Sequence, residues 1–251
     1  MILPTDPVFY LVVSIAVILV GIAKGGFAGL GAASMPILVL VMDPVPAAAM
    51  LLPILIAQDV VGVWAFRHAF DRRTLAVMVP GGCVGVFLGW WLATSVPVDA
   101  VRGLVGLIAI IFGAYRIAQM RGVRPVTRRS LPDWVGGFWG ALSGFTSQVA
   151  HAGGPPFQIW ALSRNFPHQV FIGTSAIFFA ILNWMKVPAY LALGQFTPAN
   201  LTLTLIFMPL AIASTAAGVW LVRRISAERF NLVISLLMIL VGAELLRQSL
   251  A

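Results

Sequence analysis

Long apolar runs separated by short polar breaks organise this sequence. They fall at about 8–24, 32–42, 46–66, 74–95 and 99–119, and after an Arg-rich break they resume at about 134–147, 153–163, 168–192, 198–221 and 227–247. A run of about 20 apolar residues crosses a bilayer as a helix, whereas 10–14 suggest a re-entrant or incomplete segment. The second run of each half is of the short kind. The pattern predicts an all-α integral membrane protein with ten helical segments, or eight if each short run is counted with its partner.

The halves read as copies. Gly21, Gly25 and Pro36 match Gly140, Gly144 and Pro155 at one offset; Pro80, Gly89, Trp91, Asp99 and Gly113 match Pro209, Gly218, Trp220, Glu228 and Gly242 at a slightly larger one. Five matches at a single offset, Pro and Trp among them, indicate duplication. Residues 1–120 form a first transmembrane repeat, 121–132 an Arg-rich linker and 133–251 a second repeat.

The arginines orient the two repeats. Arg67, Arg72 and Arg73 share a loop; Arg116, Arg121, Arg124, Arg128 and Arg129 flank or fill the linker; Arg164 follows the short run of the second half, and Arg223, Arg224 and Arg229 cluster near its last connection. The positive-inside rule puts all four groups in the cytoplasm. The last three runs then cross in opposite senses in the two halves, so the repeats have inverted topology, about five segments each. The first two runs of each half must leave and return on one side, as a Gly-rich, broken-helix or re-entrant hairpin. Both termini fall outside. Inverted repeats with interrupted helices are the plan of many secondary transporters, with the site near the midplane.

Composition agrees. The chain is 60% hydrophobic and 10% charged, against about 45–50% and 25% in soluble domains, and 251 residues leave no room for a soluble catalytic domain. Met1–Pro7 has no Lys or Arg, so the first run is expected to be retained. One cysteine, Cys83, excludes an intramolecular disulfide and a multi-cysteine metal site. The net charge of +8 comes from the loop arginines, which argues against a nucleic-acid partner. No His-Glu-x-x-His, Gly-x-Ser-x-Gly or P-loop motif occurs, so neither an enzyme, nor a cofactor, nor a metal is expected.

The hairpin tips carry the candidate chemistry. They read Lys24-Gly-Gly-Phe-Ala-Gly-Leu-Gly-Ala-Ala-Ser34 and Ser143-Gly-Phe-Thr-Ser-Gln-Val-Ala-His-Ala-Gly-Gly154. Such glycine density breaks a helix, and within a bilayer irregular backbone survives only inside protein or beside a cavity. Lys24, one of only two lysines, would attract an anion; a structural ion pair with Asp59 is its competing role. The other, Lys186, lies nearer the outer end of its helix, where snorkelling is the simpler expectation. Around an anion, Gly25, Gly26, Ser34, Ser143, Ser147, Gln148, His151, Gly153 and Gly154 would supply backbone and neutral donors. Asn183 matches Asp59 in depth across the repeats, two walls of one cavity. Asp59 and His151 are the candidates for a coupling proton.

At these tips the sequence resembles the TauE/SafE family of membrane exporters. The features are Gly21-x-x-Lys24-Gly-Gly-Phe with Gly29-x-Gly31 and Met35-Pro36, then Gly140-x-x-Ser143-Gly-Phe with Gly153-Gly154-Pro155. The first hairpin departs from the family's usual glycine run, reading Ala32-Ala33-Ser34 before its proline. The resemblance spans nearly the whole chain. It implies export of a small sulfur-containing anion, such as sulfite or an organosulfonate like sulfoacetate, across a bacterial inner membrane by alternating access. An anion channel of the same fold and a non-transporting membrane scaffold are the competing expectations. For the scaffold, the Gly82, Gly85, Gly89 series is the face to inspect, although packing between the repeats would use it equally well.

Overall fold

The computed structural model describes residues 6–24, 30–122, 132–164, 166–221 and 227–250. Ten α-helices follow one another: α1 (Pro7–Lys24), α2 (Ser34–Val39), α3 (Pro44–Phe66), α4 (Arg72–Ser95), α5 (Val98–Met120), α6 (Asp133–Ala150), α7 (Gly154–Ala161), α8 (His168–Ala192), α9 (Pro198–Leu221) and α10 (Ala227–Ser249). Short 3-10 turns at Leu30–Ala33 and Leu162–Arg164 precede α2 and follow α7. The described residues contain no strand. Gly25, Gly26, Arg223, Arg224 and most of the central linker lie outside the described residues.

Local chemistry sets the helix ends. Pro44 begins α3 and Pro155 stands in the first turn of α7, where a missing N–H costs nothing. Pro97, Pro132 and Pro167 each precede a helix in an extended conformation. Asp71 caps α4 by accepting from the Thr74 N–H at 2.6 Å. Internal prolines persist in α3 (Pro53), α4 (Pro80), α8 (Pro188) and α9 (Pro209). Bundled membrane helices tolerate them because neighbours re-satisfy the freed carbonyls.

Among the described residues, seven helices are long and apolar enough to cross a membrane: α1, α3, α4, α5, α8, α9 and α10. The protein is an all-α integral membrane protein. Large apolar side chains cover its outside, and four exposed tryptophans, Trp64, Trp91, Trp134 and Trp220, stand near helix ends. Such aromatic rings belong at the headgroup level of a bilayer.

The halves agree element for element, each running long, short, long, long, long. Helix α4 packs on α6, and its counterpart α9 packs on α1; α4 meets α8 as α9 meets α3; α3 pairs with α8, and α5 with α10. Exchanging the halves therefore preserves the pairing. At the α5–α10 contact it does so residue by residue. A Cβ on Gly113 would stand 2.7 Å from the Ser235 carbonyl, and one on Gly242 would stand 2.6 Å from the Gly106 carbonyl. The two contacts interchange under the larger of the two sequence offsets.

The α4–α6 contact is closer still. A Cβ at Gly81 or Gly85 would enter the backbone of Gly137 or Ala141, and one at Gly140 or Gly144 would enter that of Met78 or Gly82. In lipid, where no hydrophobic drive pushes helices together, small residues of this kind permit backbone contact and dispersion gain. Gly82, Gly85 and Gly89 are buried. Their face is internal packing and offers no surface to a partner.

Charged side chains collect at opposite ends of the bundle. At one end Asp133 accepts from Arg73 at 2.8 Å and from Arg164 at 2.6 Å, and the Arg164 guanidinium lies over the Trp160 ring. At the other, Arg102 donates to Asp43 at 2.8 Å and Asp99 at 2.6 Å.

Candidate functional site

Between those ends, a chain of buried polar groups crosses the bundle. It starts at Lys24, the last residue of α1, whose ammonium forms an ion pair with Asp59 of α3. The lysine is 24% exposed and the aspartate 4%. The other oxygen of Asp59 accepts from the Asn183 side-chain amide at 2.5 Å. One turn along α8, Lys186 donates to the Asn183 amide oxygen at 2.9 Å and reaches His151 Nδ1 at 3.1 Å. His151 Nε2 ends the chain on the Ala48 carbonyl of α3, 2.9 Å away.

These partners fix the histidine's tautomer. A carbonyl only accepts, so Nε2 carries the hydrogen. An ammonium only donates, so Nδ1 is the acceptor. His151 in this arrangement is neutral. Its backbone is also unusual: it ends α6 with φ of 48°, the one non-glycine residue with positive φ among those described. Left-handed backbone at a bulky residue is held by its surroundings and concentrates at functional positions. Here the hold comes from the His151 N–H on the Ser147 carbonyl at 3.1 Å and the Ala152 N–H on the Thr146 carbonyl at 3.1 Å. Tyr190 completes the end of α6 by donating to the Gln148 carbonyl at 2.9 Å. That satisfies one of the carbonyls that the last turn of a helix leaves without an internal partner.

Four elements thus position the cluster: the end of α1, the middle of α3, the α6–α7 turn and the middle of α8. Asn183, Lys186 and Tyr190 are spaced three and four apart, so one face of α8 presents all three. Lys186 departs from the snorkelling expectation. Its residue is fully buried, six residues before the end of α8, and its ammonium is taken by Asn183 and His151 before it could reach a headgroup. Lys24 is engaged by Asp59, as the competing reading of that residue expected.

The remaining tip residues divide. Ser143 donates to the Gly153 carbonyl at 2.7 Å and pins the turn to α6. Gly153 sits so close to the Ser143 backbone that a Cβ would stand 2.6 Å from its carbonyl, whereas a Cβ on Gly154 would meet only the Gln158 side-chain amide, at 4.0 Å. Ser147 is buried against Gly153. Ser34 is fully buried on α2 with its hydroxyl unpartnered, apart from the cluster's hydrogen bonds. Gln148 is buried and its side-chain oxygen has no partner. Gln58, beside Asp59, donates to the Ala211 carbonyl at 3.3 Å and also keeps an unpartnered oxygen. Sequence reasoning passed over Gln58 and Tyr190; the three-four spacing from Asn183 was the available signal for the tyrosine.

A small cleft abuts the cluster. Ala48, Gln148 and Tyr190 form its inner wall, and Pro44, Val45, Leu92, Ala93, Val101 and Leu193 line its sides. Those side residues belong to the starts of α3 and α5 and the ends of α4 and α8, so the cleft runs toward the Arg102 end. Among the described residues, no group of His, Cys, Asp and Glu could hold a metal ion.

The family model for Sulfite exporter TauE/SafE matches residues 13–245. The chain belongs to the TauE/SafE family. This TauE/SafE protein is accordingly a multi-pass membrane transporter of sulfite-exporter type, in a family of transporters and not enzymes. Every member of the polar chain, from Lys24 to Lys186, falls inside the matched segment. No curated protein and no solved structure matches it.

Proposed function

We propose that this protein is a secondary transporter exporting a small sulfur-containing anion, sulfite or an organosulfonate, across a bacterial inner membrane. The binding site on this reading is the buried cluster where the second hairpin meets α3 and α8. One observation carries it: Lys186 is fully buried and its ammonium touches only neutral groups, Asn183 and His151. An ionisable side chain at such depth is a functional feature by default, and a buried ammonium without a contacting carboxylate suits an oxyanion.

The two repeats are inverted on this account, both termini face the periplasm and the Arg73–Asp133–Arg164 end faces the cytoplasm. The cleft then opens outward, with Gln148 on its floor. His151 stands between that floor and Lys186, so a rotation of the imidazole away from the Ala48 carbonyl would join cleft and ammonium. Lys24 and Asp59 form the rear wall and set the charge. The interchangeable contacts of the two halves support alternating access, because a two-fold arrangement supplies an equivalent packing for the opposite-facing state. An inside-negative potential drives an anion outward without a coupling ion, which favours export.

Counterflow in proteoliposomes tests the mechanism. Vesicles preloaded with unlabelled sulfite should transiently concentrate labelled sulfite, and the initial rate should saturate. Flux that rises linearly with concentration and shows no counterflow is the behaviour of a channel and would exclude the carrier.

A further inference from the structure

We infer that the buried cluster selects its substrate by charge and accepts a monoanion, hydrogensulfite or an organosulfonate without a second acidic group, in preference to any dianion, sulfoacetate included. This rests on the anion-transport reading above and deepens it. Lys24 and Asp59 cancel as an ion pair. His151 is neutral by its hydrogen-bond geometry. Lys186 remains, fully buried, with no carboxylate in contact among the described residues, and supplies one positive charge when it carries its proton. With Lys186 protonated beside a bound anion, the cluster therefore offers one surplus positive charge in surroundings of low dielectric.

An isolated buried charge is costly, and a partner of equal and opposite charge removes that cost. A monoanion beside Lys186 leaves the cluster neutral. A dianion leaves it with one negative charge at the same depth, which returns the penalty with its sign reversed. Few neutral donors stand close by to offset it: Asn183 has already given one of its two N–H groups to Asp59, and His151 can offer its single N–H only by leaving Ala48. Charge, more than size, separates hydrogensulfite from sulfite and sulfate here.

The test uses probes of fixed charge on the purified full chain. Methanesulfonate is a monoanion; sulfate and 1,2-ethanedisulfonate are dianions. Inhibition of sulfite counterflow and ligand-induced thermal stabilisation are read in parallel for wild type, Lys186→Met, Lys24→Met and the double variant Lys24→Met/Asp59→Asn, each first shown to melt cooperatively. In wild type, methanesulfonate should act at concentrations lower by about tenfold or more than either dianion. Lys186→Met and Lys24→Met each reduce the surplus to zero and should lose the preference. The double variant restores a surplus of one and should regain it. Dianions acting as well as methanesulfonate on wild type would overturn the charge rule and leave anion transport standing. A double variant that keeps no preference, although folded, would overturn it too, by making Lys24 a direct ligand. If no probe binds or inhibits, the transport reading fails along with this one.

Discussion

Asp59→Ala is expected to be the most damaging single change in the polar chain. Its carboxylate is 4% exposed and holds two partners at once, the Lys24 ammonium and the Asn183 amide. Removing it leaves two lysines inside the bundle with no carboxylate between them. Breaking a buried ion pair from one side costs about 3–5 kcal/mol, because the remaining charge stays desolvated. A domain's whole stability is roughly 5–15 kcal/mol, so the variant should purify with a large misfolded fraction and a much lower melting temperature. Adding Lys24→Met should recover most of that loss, since removing both members of a buried pair is often close to neutral. Fluorescence-detected melting of the two variants in detergent measures both effects. Equal melting of the single and double variants would show that the pair is not a coupled buried unit.

Gly144→Leu should be nearly as severe, for a steric reason. A Cβ at Gly144 would enter the Gly82 carbonyl, and the facing Gly85 is in the same relation to Ala141. The obstacle is backbone on both helices, so no rotamer change relieves it. Overpacking a side chain into a full core costs about 1–3 kcal/mol, more when the backbone must shift. Here α4 would have to separate from α6 along their whole glycine-lined contact. The expected result is loss of monodisperse protein on size exclusion. Gly62→Ala is the matched control, since its Cβ would meet only the Ala176 methyl at 3.7 Å, and it should elute as wild type does. Normal elution of Gly144→Leu would contradict the described helix contact.

Much of this architecture was legible from hydrophobic runs alone. Each predicted run has its helix within a few residues of its bounds, because a bilayer forces backbone groups to pair within the segment and leaves helix as the solution for an apolar stretch. The short second run of each half became α2 and α7, of six and eight residues. Which polar groups meet was less legible. The depth match of Asp59 and Asn183 came from aligning the repeats, and the two do bond. Lys186 was misread because distance from a helix end is a one-dimensional measure. Whether a long side chain snorkels depends on what its neighbours offer, and here the imidazole of His151, held in a left-handed turn, reaches it first. That turn is held by the His151 and Ala152 N–H groups on the Ser147 and Thr146 carbonyls, and the partners of its imidazole come from α3 and α8, far away in sequence. Lys24 had two readings from sequence, a cation for an anion and an ion-pair partner of Asp59, and the approach of α3 forms the pair.

The account stands or falls on the Lys186 ammonium. The most direct measurement is initial-rate flux of labelled sulfite and methanesulfonate in proteoliposomes for wild type and Lys186→Met, with the variant's melting temperature recorded beside it. The account predicts saturable flux of both anions in wild type. In a variant that melts at or above the wild-type temperature, as an apolar replacement of a buried charge allows, that flux falls to the level of empty vesicles. Wild-type rates in folded Lys186→Met would contradict it, and would move the anion site away from the cluster where the halves meet.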